Sequence, residues 1–408
     1  MQPTQLYLDT ARLGRMSPRA CVAHVDFACM VAEEGGSKLF ERFLRQGVDA
    51  CRAPVQARFP GLMPWHGIGP LKANLRTLAG SNPDLPVLVV NRSTQLMKFA
   101  ARLLFKQCRN VLTTDLGWPP YQEILDLEAR RTGRTITFVA VHDLLCRDRA
   151  GESELIDAVQ AKFQQGGCDG LFLTAVSHQG IRLPVERLVR TLEAMQEVRS
   201  VVIDGAQDFC HASADLNNEY CDLYLAGCHK WLNGFHPMGL GFYGRSSSVE
   251  MIETLAQTLV QSGELDDPLL KFTTQIETAK LDSETETVSL IPLFTCQGAA
   301  VDALERSSPL ADVLRQRQAN LLEATRLAAA SGWLPVQPAE PFRTGILLLQ
   351  AERDKTRQRS AEDLRDAFAE EGLALTSYDG GFIRLSMPPV RWRPPQIDLL
   401  EHALSSIA

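Results

Sequence analysis

Between residues 85 and 245 the apolar positions switch repeatedly between two periods. Short β-branched runs read as strands: PVLVV (86–90), NVLTT (110–114), TITFVAV (135–141), GLFLTAV (170–176), SVVID (200–204), LYLAG (223–227) and LGFYG (240–244). Helical patterns lie between them at 93–105, 120–133, 153–167 and 183–196. Strands spaced by single helices predict right-handed crossovers and a mostly parallel sheet of seven strands, covered on both faces. In such sheets the chemistry sits beyond the carboxyl ends of the strands. Five segments occupy that place: Ser93-Thr94, Asp115 to Trp118, Ser177-His178, Asp204 to Gln207, and Gly227 to Lys230.

After about residue 275 the pattern changes. A helical stretch (288–331) precedes TGILLLQ (344–350), a helix at 360–372, LALTSY (373–378), FIRLSM (382–387) and a closing helix at 395–406. This predicts a smaller α+β domain. The expected division is an arm or helix over 1–55 packed on the small domain, a large α/β domain over 56–270, and the small C-terminal domain over 271–408.

Composition narrows the function. Apolar residues make up 45% and charged residues 22%, an ordinary globular balance. The net charge of −7 gives little reason to seek nucleic acid or an anionic membrane. No apolar run reaches the roughly 18 residues of a membrane span, and the opening MQPTQLYLDTARLGR has no apolar signal core. A cytoplasmic location is therefore expected. The ten cysteines contain no CxxC pair, so they read as small buried hydrophobes, and no metal site is expected.

The chemistry centres on VVIDGAQ (201–207) and AGCHKWL (226–232). Asp204 ends an apolar strand, where a carboxylate needs a cation or strong donors. Lys230 follows the next strand-like run, so two strand ends offer an acid and an amine to one crevice. Pyridoxal 5'-phosphate (PLP) requires this pair: a lysine for the Schiff base and an acid for the pyridinium nitrogen.

On these motifs the sequence resembles the class V aminotransferase family of PLP-dependent enzymes. That group includes cysteine desulfurases, selenocysteine lyases and isopenicillin-N-epimerase-like proteins; CHKW and the LPV after Ser177 look closest to the last branch. The resemblance implies the aspartate-aminotransferase-like PLP-dependent transferase fold. It also implies that Lys230 carries the Schiff base, Asp204 holds the pyridine nitrogen and Gln207 reaches the phenolic oxygen. His229 would sit at the phosphate or ring edge, and Ser93 and Thr94 would bind the phosphate, as a helix N-terminus can. Trp118 would stack on the cofactor and Ser177 would lie near the phenolic oxygen. Arg384 in FIRLSM would grip a substrate α-carboxylate, a task that suits the guanidinium fork. In ETET (284–287), either Thr285 or Thr287 would reach the phosphate of a partner subunit, which implies a homodimer with a shared active site.

The same residues allow structural readings. Ser93-Thr94 could be a simple cap, Trp118 core packing and Arg384 half of a strand-face ion pair; His178, His211 and His236 have no motif behind them. The sequence also departs from the family at three places. Gly227 stands where Ser or Asn is usual, Glu284 or Glu286 replaces the glycine of the Gly-Thr motif, and FHPMGLG (235–241) replaces the usual Gly-Pro segment. Desulfurases of the family need a nucleophilic cysteine shortly before the RxS arginine. The last cysteine here is Cys296, so persulfide transfer is disfavoured. The expected activity is that of a PLP-dependent transferase or lyase on an α-amino acid or similar substrate. An epimerase-like racemase or a C–S lyase is the alternative, and a PLP-fold binding protein without turnover is the non-enzyme alternative.

Overall fold

A computed structural model describes residues 6–34, 37–50, 53–212, 215–277, 288–306 and 309–408. The first strand, β1 (Leu6–Tyr7), belongs to an N-terminal arm. Seven more follow in the large sheet: β2 (Val87–Val90), β3 (Asn110–Thr114), β4 (Thr135–Val139), β5 (Gly170–Thr174), β6 (Ser200–Asp204), β7 (Leu223–Gly227) and β8 (Gly239–Tyr243). Their order is β2-β8-β7-β6-β5-β3-β4. Only β8 runs against its neighbours, pairing antiparallel with β2 and β7; the remaining pairs are parallel. The fold is thus the α/β, mostly parallel seven-stranded architecture that the strand-helix alternation predicts.

Side chains alternate across that sheet, as the strand period of two requires. Val201 and Ile203 of β6 join one core, Val202 the other. Helices Ser93–Gln107 and Pro119–Thr132 cover the second face, and Glu152–Gln165 and Val185–Glu193 cover the first. Both faces being apolar explains why these strands are unbroken hydrophobic runs. A glycine stops the helix Pro119–Thr132: Gly133 (φ +66°) takes the left-handed position after Thr132, where a side chain would be strained.

The last five strands are β9 (Trp333–Val336), β10 (Ile346–Ala351), β11 (Leu373–Ala374), β12 (Thr376–Tyr378) and β13 (Phe382–Ser386). Four form an antiparallel sheet in the order β12-β13-β10-β9, and β11 pairs with β1. Helices Leu310–Ala330, Ala361–Glu370 and Pro394–Ile407 enclose their core.

Residues 1–55, expected as one unit on the small domain, divide between the two cores. The arm pairs there through β1, but helix Pro18–Glu34 buries Ala20, Ala23, Phe27 and Met30 in the core of the large sheet, against helix Ile291–Leu304. Helix Ile291–Leu304, expected within 271–408, therefore also packs on the large core. Phe294, held among Phe27, Phe43 and Trp65, shows why: an all-round apolar helix needs cover on every side.

Candidate active site

A cavity of about 360 Å³ opens at the carboxyl ends of the large-sheet strands, against the edge of the small sheet. Thr174 ends β5, Asp204 ends β6, and His229 and Lys230 follow β7. Ser93 opens the helix after β2, while Trp118 and Tyr121 begin the helix after β3. From the small sheet come Thr376, Tyr378 and Arg384; from the arm come Ala11 and Arg12.

The arm bridges the two halves by backbone. Leu8 N–H donates to Ala374 O (2.8 Å), and Ser386 N–H donates to Leu8 O (2.7 Å). On the other side Gly14 N–H donates to His229 O (2.7 Å). A Cβ on Gly14 would stand 2.0 Å from the Lys230 carbonyl oxygen, so glycine is what lets the arm approach the lysine. Gly205 answers to a similar constraint: its Cβ would fall 1.9 Å from Tyr224 Cζ. That space lets the Tyr224 hydroxyl donate to Asp208 Oδ2 at 2.7 Å beneath the site.

Asp204 is 4% exposed, and its Oδ1 accepts from Ala206 N–H at 3.0 Å. Burial pushes its carboxyl up, while the Ala206 amide and the Lys230 charge pull it down. Lys230 is half-buried at the cavity wall: desolvation lowers its amine to about 8, opposed by attraction to Asp204. An amine with a pKa near neutrality has an accessible free-base form, which nucleophilic attack on a carbonyl requires.

Four lining side chains carry buried polar atoms without a hydrogen-bond partner: Thr174 Oγ1, His178 Nδ1, His229 Nδ1 and Arg384 Nε. Buried polar atoms are usually satisfied, so four orphans around one cavity mark a place built for a polar ligand. The imidazoles of His178 and His229 are lowered to about 4, chiefly by burial and then by neighbouring cations, Arg384 for His178 and Lys230 for His229. A pH prediction follows. Both rings bind fewer protons folded than unfolded, where the pKa is 6.5. Their stabilising contribution is complete above that value and is lost as pH falls from 6.5 towards 4. Cofactor-free protein should lose on the order of 3 kcal/mol per imidazole across that window. Chemical denaturation at a series of pH values, with His178→Gln alongside, checks it: the variant should show a shallower acid slope, and equal slopes would contradict the assignment.

Arg384 is 3% exposed and lies behind Tyr378, with its guanidinium carbon 5.9 Å from the ring centroid. It donates to Thr376 Oγ1 (3.0 Å) and His178 O (3.3 Å), with Asp9 Oδ1 at 3.6 Å. The expectation of a strand-face arginine is thus half met: it has an acid nearby, yet its Nε stays unpaired at the cavity.

The structure brings Ser93, Trp118, Asp204, Gln207, His229, Lys230 and Arg384 to the cavity. Trp118 is 43% exposed, not core, and meets His178 edge-on at 5.6 Å. Helix Ser93–Gln107 is capped at Arg92 without a side-chain bond, so Ser93 is the first helical residue and not the cap. Thr94 is exposed and does not line the cavity. Ser177 is placed otherwise than expected. It is wholly buried, and its Oγ accepts from Gln179 and Ile181 N–H in a turn, so the next residue, His178, faces the cavity instead. Gln207 is also committed: its Nε2 donates to Ala11 O (2.7 Å) and its Oε1 accepts from Trp231 Nε1 (2.8 Å), leaving one amide hydrogen. Thr285 and Thr287 lie outside the described residues.

At Gly227, where the resemblance leads one to expect Ser or Asn, a Cβ would meet His229 Cε1 and Nδ1 at 3.1 Å. The imidazole fills the space a serine would use. Sequence reasoning missed Arg12, Tyr121, Thr174, Thr376 and Tyr378. Tyr121 lies one turn beyond Trp118 and could have been found by helical spacing. Arg12 and the small-sheet residues reach the cavity only through tertiary folding.

A buried acid and an amine facing one cavity at adjacent strand ends of such a sheet define a PLP-dependent enzyme of the aminotransferase fold type. The chain belongs to the class V aminotransferase family, whose model matches residues 71–318. Solved structures agree in fold. Cysteine desulfurase from Thermococcus onnurineus NA1 superposes with a TM-score of 0.69 at 13% identity, covering 98% of this chain and 94% of that one. Alanine–glyoxylate aminotransferase from Nostoc sp. gives 0.66 at 14% identity, covering 100% and 96%. A C-DES variant with glycine covalently linked to the PLP cofactor gives 0.68 at 13% identity, covering 100% and 97%. No curated protein matches the chain. PLP is the cofactor of this family, and the cavity's residues fit it: one buried acid, one depressed amine and a ring of unpaired polar atoms.

Proposed function

We propose that the chain is an amino-acid transferase or lyase that binds PLP through Lys230. The observation that carries this reading is the meeting of Lys230, Asp204 and Arg384 with four orphaned polar atoms in one cavity. When bound, PLP supplies an electron sink for a substrate Cα. Asp204 would keep the pyridine nitrogen protonated, and Ser93 with the uncapped first turn of its helix would take the phosphate. Trp118 would cover the ring. His229 and Gln207, through its remaining N–H, would hold ring or phosphate oxygens. Lys230, with its amine near 8, would take and return the Cα proton. The arm and the small sheet wall one side of the cavity in which that transfer would take place.

Arg384, with Nε and part of its fork open, would bind the substrate carboxylate. Arg384→Lys should lower kcat/KM about 10- to 100-fold, since charge-assisted hydrogen bonds contribute roughly 1.5–3 kcal/mol. Cofactor absorbance should stay as it is. A fall in melting temperature with catalysis per folded molecule intact would make Arg384 structural.

Sulfur transfer is disfavoured because no thiol lines the cavity among the described residues, and Cys296 is fully buried. The nine described cysteines are free thiols, which supports a reducing, cytoplasmic setting. A homodimer with a shared site remains part of the reading, supported by the ETET resemblance, and should bury more than about 2,000 Å² in total. Analytical ultracentrifugation should give the mass of two chains; a monomer that still holds PLP tightly would contradict it. The activity itself is tested by adding a panel of amino acids to the purified yellow protein. Spectral change and product with at least one α-amino acid is expected, and silence across the panel would point to a binding protein.

A further inference from the structure

Away from the cavity of Lys230 lies a second one, of about 290 Å³, lined by Arg182, Arg315, Arg317 and Arg343. Among the described residues no carboxylate lines it. Two of these arginines come from neighbouring backbone segments: Ile181 bridges Arg343, and Arg182 N–H donates to Phe342 O at 2.8 Å. Arg315 meets Asp312 on the helix surface, outside the cavity. Arg343 uses its Nε on Pro338 O (2.9 Å), which leaves its two terminal nitrogens.

Arg317 is the unusual member. It is 5% exposed, yet it forms no ion pair among the described residues. One terminal nitrogen donates to His211 O (2.8 Å), and the guanidinium carbon stands 4.8 Å from the centroid of the Trp231 ring. Its Nε is buried without a partner. A buried cation without a counter-charge is among the most costly arrangements in a folded chain. Burial and the nearby Arg306 lower its guanidinium to about 10, a shift that a bound anion would reverse. His211 does not supply the missing charge. Its Nδ1 faces Gln207 O (2.7 Å) and its Nε2 accepts from Gly345 N–H (3.0 Å), which fixes the neutral ring. Gly345 keeps the floor open, because a Cβ there would lie 2.8 Å from His211 Nε2 and 3.1 Å from Arg317 Cδ.

We propose that this arginine-lined cavity is a binding site for a phosphate-type oxyanion, either inorganic phosphate or a small phosphate monoester. Guanidinium forks match the oxygens of such groups, and several of them around one pocket favour a ligand with more than one negative charge. The site is separate from the place at Ser93 proposed for the cofactor's phosphate, and its Arg317 lies over the ring of Trp231, the neighbour of Lys230.

The test uses the full chain saturated with PLP, so that the cofactor's phosphate place is filled. Calorimetric titration with inorganic phosphate at constant ionic strength should show one saturable site per chain, and melting temperature should rise with phosphate as mass action requires. Arg343→Gln, on a partly exposed side chain, should weaken binding at least about 10-fold, in line with loss of a charge-assisted contact. Arg384→Gln should leave it unchanged. Glycerol phosphate as a second probe separates the sources: tighter binding than phosphate indicates a monoester, equal or weaker binding indicates free phosphate, and both uphold the site. Absence of saturable binding, equal affinity in Arg343→Gln, or loss in Arg384→Gln would overturn it. None of these outcomes depends on which amino acid the enzyme turns over.

Discussion

Lys230→Ala is expected to lower turnover by at least about 10³-fold, because it removes both the amine that binds the cofactor and the base that moves the Cα proton. The fold should survive. Lys230 is half-buried, and desolvation holds its amine near 8 against 10.5 in the unfolded chain. The folded state therefore binds fewer protons between those values, and stability rises with pH from 8 to 10.5, then levels off. Below pH 8 both states carry the proton, and the native state bears the cost of a buried charge. The cofactor-free variant should consequently melt above the cofactor-free parent at pH 7 and lack the alkaline rise. Melting curves across pH, run beside an activity assay, check both halves. An active variant would remove Lys230 from the chemistry, and a variant that fails to fold would make the lysine structural.

Asp204→Asn comes second in expected effect. A nearby carboxylate shifts an opposing base by about 1–3 pKa units, so its loss at the pyridine nitrogen should lower kcat by up to roughly 10³-fold. Asparagine keeps the volume and still offers Oδ1 to Ala206 N–H, so melting temperature should not fall. It should instead rise slightly, since Asp204 is a buried carboxylate already pushed up by its surroundings. The Lys230 amine should move further down, having lost the charge that opposed its burial. Steady-state kinetics and calorimetry on the same preparation test this; turnover near that of the parent would place Asp204 outside the reaction.

Much of the scaffold was legible because local pattern and tertiary environment agree in the large sheet. Val201 to Asp204 is buried on both faces, so its apolar run could be read without knowing its neighbours. Asp204 and Lys230 were legible for a related reason: a carboxylate closing such a run and an amine closing the next have few structural excuses. Legibility ends where position depends on distant chain. Arg12 lies on an arm held by β11, β13 and His229, three partners far apart in sequence. Ser177 and His178 differ by one residue, and the turn that ties the Ser177 hydroxyl to Ile181 decides which of them faces the cavity. Gln207 sits where expected but spends most of its amide on Ala11 and Trp231, a tertiary arrangement that no local pattern encodes. Helix Pro18–Glu34 packs on the large core and not on the small domain; its apolar face says that it packs, not against what.

The central claim is that PLP is bound covalently through Nζ of Lys230 in the cavity shared by Asp204 and Arg384. Borohydride reduction of the purified yellow protein, followed by proteolysis and mass spectrometry, tests it most directly. The account predicts one reduced cofactor per chain, on the peptide that contains Lys230 and on no other lysine. Recovery of that peptide unmodified, or of the cofactor on a different lysine, would contradict it.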